Sequence, residues 1–118
     1  MEENNQMRDK RNYLDFVPVK NPSLPWSKDD EGIVTVDVTH RGIANRIAQI
    51  AFNRPKMSHI KLDSFGSFVW QEIDGEQNIY QIGQKVKERF GKEAEPLYER
   101  LIMFFRTLAE NNYITYRK

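Results

Sequence analysis

The stretch "IDGEQNIYQI" (residues 73–82) restricts the folds open to this chain more than any other. Ahead of it, Phe65, Phe68 and Val69 recur at helical spacing; after it, Ile79, Ile82, Val86 and Phe90 do the same. Between the two patterns stands Asp74-Gly75, a dipeptide that favours a turn. Two helices must therefore meet at an abrupt corner. The first, over about 63–73, takes Asp63 or Ser64 as N-cap. The second, over about 78–90, opens with Asn78 three residues before Gln81, the spacing of a capping box, and stops at Gly91. A third helix, over about 95–111, carries Pro96 in its first turn, where the missing N–H costs nothing, and ends at Asn111-Asn112.

The helices follow short extended segments. "YLDFVPVKN" (13–21) is at best an edge strand, because Pro18 cannot donate to a ladder. In "IVTVDV" (33–38), Val34, Val36 and Val38 share one face and Thr35 and Asp37 the other. "SHIKL" (58–62) places Ile60 and Leu62 opposite His59 and Lys61, and "YITYR" (113–117) reads as a last strand. The predicted fold class is α+β: a small antiparallel sheet followed by a three-helix winged-helix-like unit. Residues 1–12 are charged and amide-rich and read as a flexible tail; 13–118 read as one domain, with 39–56 a basic helical insertion.

Composition excludes several function classes. The 118 residues carry a formal net charge of +1, too little to draw the whole chain onto nucleic acid or an anionic membrane. There is no cysteine, so neither a disulfide framework nor thiolate chemistry, which suits a cytoplasmic protein. No apolar run approaches the roughly 20 residues of a bilayer span, and the polar N-terminus does not resemble a signal peptide. His40 and His59 are the only two histidines and there is no cysteine, which is poor material for a metal site. No phosphate-binding glycine loop and no nucleophile elbow occurs. Neither an enzyme nor a cofactor is expected.

The third helix is apolar over an unusually wide arc. Leu97, Leu101, Phe104 and Leu108 form one stripe; Tyr98, Ile102, Phe105 and Ala109 form a second. Together they span roughly 160°, where about 100° suffices for a helix on one side of a core. Either the helix is buried on both flanks, or one stripe lines a groove. DNA reading by this helix is disfavoured: Glu93, Glu95 and Glu99 at its start would face phosphates, whereas they complement the helix dipole. Residues 39–61 hold Arg41, Arg46, Arg54, Lys56 and Lys61 and no acid, so a nucleic-acid-binding winged helix or regulator is the alternative function. An open strand edge beside a groove would accept an extended peptide.

The ordered set Leu62-Asp63, Gly66, Val69-Trp70, Asp74-Gly75, Ile79 with Ile82, and Leu108 followed by Tyr113 and Ile114 resembles the family of the pyrroloquinoline quinone biosynthesis protein D (PqqD). The resemblance covers about residues 58–115. Asp63 stands where that family commonly has Asn, and the basic segment 39–56 separates strands that it joins tightly. The resemblance implies a non-catalytic peptide-binding chaperone. It would recognise the leader of a ribosomally made precursor peptide and present it to a radical S-adenosylmethionine maturase or similar modifying enzyme. The leader would add as a strand and pack beside the third helix. The expected docking residues are His59, Ile60 and Lys61 on the strand and Tyr98, Ile102 and Phe105 on the helix, with the strand at 33–38 as second choice of edge. A homodimer, with a second copy filling the groove, is a further possibility. No membrane partner is expected.

Overall fold

Five strands and three α-helices follow one another among the described residues, which in the computed structural model are 13–39 and 57–117. The order is β1 (Val17–Lys20), β2 (Trp26–Lys28), β3 (Val34–Thr39), β4 (Met57–Lys61), α1 (Ser64–Glu72), α2 (Ile79–Phe90), α3 (Leu97–Glu110) and β5 (Ile114–Arg117), with a 3₁₀ turn at Gly91–Ala94. The class is α+β, with the helices packed on two small antiparallel sheets rather than one. The flexible tail expected at 1–12, and all but Thr39 of the insertion expected at 39–56, lie outside the described residues.

One sheet has the order β2-β3-β4, with Trp26 opposite Val36 and Val36 opposite Ile60. Its inner face carries Val34 and Val36, both buried, as the alternation of "IVTVDV" predicts. Its outer face is polar: Thr35 lies opposite Lys61, and Asp37 opposite His59. β3 is the middle strand, hydrogen-bonded on both sides, so it cannot serve as the second-choice docking edge. The other sheet is the ribbon β1–β5, which joins the two ends of the described chain. Pro18 sits in it opposite Tyr116, and β1 has no second neighbour among the described residues, as expected of a strand holding a proline.

Local chemistry sets the helix ends. Asp63 caps α1, accepting from the Gly66 N–H at 2.7 Å. Asn78 and Gln81 form the complete capping box of α2, each bond 2.8 Å long. At the corner between them, Asp74 Oδ1 accepts from the backbone N–H groups of Glu76 (2.8 Å) and Gln77 (2.9 Å). These bonds, that from Gln77 foremost, hold the Asp74 carboxyl below the usual carboxylate range. Gly75 follows at φ 78°, a conformation strained for side-chain-bearing residues. Asp74 and Gly75 together thus turn the chain while the Glu76 and Gln77 amides stay bonded.

The core is shared by all three helices: Val69, Trp70 and Ile73 from α1 and the residue after it, Ile79, Ile82 and Val86 from α2, and Leu97, Leu101, Phe105 and Leu108 from α3. Helices α2 and α3 approach closely because residue 83 is glycine; a Cβ built there would lie 2.9 Å from Leu101 Cδ1. Ser67, the one buried polar residue among those described, ties the sheet to α1: its Oγ accepts from the Val34 N–H (2.8 Å) and donates to the Leu62 carbonyl (3.3 Å).

Candidate functional site

Hydrogen-bond parity shows which backbone groups the sheet leaves open. In an antiparallel ladder the N–H and C=O of one residue point to the same side, and successive residues point to opposite sides. The Asp37 N–H donates to Pro25 O, so odd-numbered residues of β3 bond toward β2. The Leu62 N–H donates to Val34 O, so even-numbered residues of β3 and β4 bond to each other. The N–H and C=O of His59 and Lys61 therefore point away from β3, and no described strand pairs with that side of β4. Two donors and two acceptors at fixed spacing are what an added strand requires.

The side chains of this edge alternate. His59 and Lys61 are exposed on the polar outer face, and the His59 ring places Nδ1 2.6 Å from Asp37 Oδ1. Ile60 is half-buried on the inner face beside Val36. The strand then runs into Leu62, also half-buried, which faces α3 across Gly66: a Cβ built on Gly66 would lie 3.5 Å from Leu62 Cβ and 3.1 Å from Phe104 Cε1. Phe104 is part-buried, with its ring 6.5 Å from that of Phe65 in T-shaped contact. Arg100, one turn before it, lies 4.1 Å from the Phe65 ring. The flank of α3 turned toward the end of β4 therefore carries Arg100 and Phe104.

The helix residues singled out from sequence lie elsewhere. Phe105 is fully buried and belongs to the core, not to an open groove. It faces inward with Leu101 and Leu108, and the Tyr116 hydroxyl donates to its carbonyl at 3.4 Å. Tyr98 is half-buried on the opposite flank, stacked at 7° on the Tyr80 ring (centroids 6.3 Å apart), and its hydroxyl accepts from Gln84 Nε2 at 2.9 Å. Ile102, one turn on, is half-buried and borders a recess of about 410 Å³ on the outer face of α3, lined also by Glu99, Met103, Arg106, Thr107 and Glu110. Among the described residues, none of β4 lines that recess. His59, Ile60 and Lys61 thus lie together along the β4 edge, whereas Tyr98 lies against α2 and Ile102 borders the outer face of α3. Phe104, not among the helix residues expected to dock, is the apolar side chain of α3 nearest Leu62 at the end of β4 among the described residues. Its signal was its place at the margin of the wide apolar arc, one residue from Phe105 but on the other flank.

Among the described residues no group of three or more His, Asp or Glu side chains could hold a metal ion, and no helix is long and apolar enough to cross a membrane. Comparison with protein families finds a match over residues 50–114 to the family described as Coenzyme PQQ synthesis protein D (PqqD). That span takes in β4, all three helices and the first residue of β5. No curated protein and no solved structure matches the chain.

Proposed function

Because the chain belongs to the PqqD family, we propose that it is a non-catalytic module that binds the leader of a ribosomally made precursor peptide and presents it to a modifying enzyme. The observation that carries this reading is the unpaired edge of β4, where His59 and Lys61 direct their backbone groups outward among the described residues. Backbone bonding supplies affinity with little dependence on sequence, and side-chain rows on either face of the added strand supply choice. Ile60, Leu62 and Phe104 supply part-covered apolar surface on the inner face. The family resemblance makes a radical S-adenosylmethionine protein the expected enzyme partner and the cytoplasm the expected setting.

The test is a titration of ¹⁵N-labelled chain with the synthetic leader of a precursor peptide encoded beside it. The amides of His59 and Lys61 are expected to shift and to gain protection from hydrogen exchange, while those of Thr115 and Arg117 stay as they were. Affinity should also change little with added salt, unlike binding carried by phosphate contacts, which falls steeply. Saturable binding that leaves the His59 and Lys61 amides untouched would rule out docking at this edge. The alternative of nucleic-acid binding through the basic stretch 39–61 rests mostly on residues outside those described. A steep salt dependence would support it.

A further inference from the structure

We propose that the segment taken up by the β4 edge is an apolar–acidic–apolar triplet, its acid beside Lys61 and its two apolar residues beside Ile60 and Leu62. This deepens the strand-addition reading and rests on it. An added strand continues the rows of the sheet, so each of its side chains lies beside, and on the same face as, the β4 side chain in its row. The outer face holds two such rows. In one, His59 already has the Asp37 carboxylate at 2.6 Å. In the other, Lys61 is exposed beside neutral Thr35 and makes no ion pair among the described residues. The row of Lys61 is therefore where charge recognition is unfilled, and a carboxylate is the side chain that fills it.

The inner face asks for the opposite chemistry. The row of Ile60 continues from Val36, which is buried, and the row of Leu62 continues from Val34, also buried, with Phe104 near Leu62 on the helical side. A side chain added to either row extends an apolar lane, and an unpaired polar group there would lose water without a partner. Because the two apolar positions flank the acid symmetrically, the triplet reads alike whether the peptide runs parallel or antiparallel to β4. The expected preference for Glu over Gln at the centre is roughly two- to fivefold in affinity, the range of a cross-strand charge pair.

The probe is a phage-displayed library of random twelve-residue peptides, selected in parallel on the full wild-type chain and on Lys61→Glu. Lys61 is exposed, so the variant should fold, which circular dichroism checks. The wild-type chain should enrich Asp or Glu between two apolar residues. Lys61→Glu should keep the apolar flanks and replace the central acid with Lys or Arg. The proposal is overturned if both chains enrich the same central residue, or if the flanks come out polar; peptide docking itself would then still stand. If neither chain enriches any peptide over bare support, docking fails and the triplet with it.

Discussion

Phe104 and Phe105 are neighbours in sequence with opposite duties. Phe105 is fully buried among Leu101 and Leu108, so Phe105→Ala should cost on the order of 3–5 kcal/mol in a chemical denaturation curve. Phe104 is part-exposed, so its truncation should cost clearly less and, if the β4 edge docks peptide, weaken binding more. Asp74 offers a test in pH. Its carboxylate accepts the Gln77 and Glu76 amides, which lower its pKa in the folded state. A lowered folded value means the charged form stabilises the fold above the ordinary carboxylate pKa of about 3.9, and that this stability is lost as pH falls through the folded value. Asp74→Asn keeps an acceptor without a titrating charge. Wild type should therefore melt above Asp74→Asn at pH 7, and the gap should close toward pH 2–3 as Asp74 protonates.

At the scale of elements, β4 has two unlike sides, and proline can tell them apart. The His59 N–H faces away from β3, so His59→Pro deletes a donor the fold does not use. The exposed contact with Asp37 that it also removes is worth under about 1 kcal/mol. Ile60→Pro instead takes a ladder donor from the Val36 pairing and should cost about 1–3 kcal/mol for the orphaned carbonyl. Thermal melts should show His59→Pro near wild type and Ile60→Pro well below it. In a peptide titration His59→Pro should still lose most of its affinity; unchanged affinity would place the docking edge elsewhere. The ends of α1 and α2 were legible in the sequence because caps are local: Asp63, Asn78 with Gln81, and Gly91 act within a turn of themselves. β2 was not. Its three residues are exposed and follow Pro25, with no periodicity of their own, and they are a strand only because β3 pairs with them. The side of α3 that meets β4 was also hidden. At 100° per residue Phe105 falls near the middle of the apolar arc and Phe104 at its margin, and only tertiary packing decides which margin meets β4.

At the scale of the molecule, the β1–β5 ribbon closes the chain on itself. Tyr13 and Tyr116 meet hydroxyl to hydroxyl at 2.5 Å, and Asn21 Nδ2 donates to the Asn112 carbonyl at 2.8 Å. Burial, reinforced by this contact, pushes the Tyr116 hydroxyl well above the usual phenol range, and burial raises Tyr13 as well. Both phenols stay protonated and in place through the physiological range. The three-stranded sheet is thereby left with two distinct ends, the β2 side and the β4 side, separated by the width of β3. The chain's two tryptophans both sit at the first: Trp26 on β2 and Trp70 beneath it on α1, ring centroids 6.3 Å apart, with the Lys20 ammonium 4.4 Å from the Trp26 ring. Light emitted by these indoles therefore reports from the far shore of the sheet. It should track melting faithfully, since unfolding parts the two rings, yet stay almost constant while a ligand settles on β4. A colour shift on saturation would mean that the message crosses all three strands.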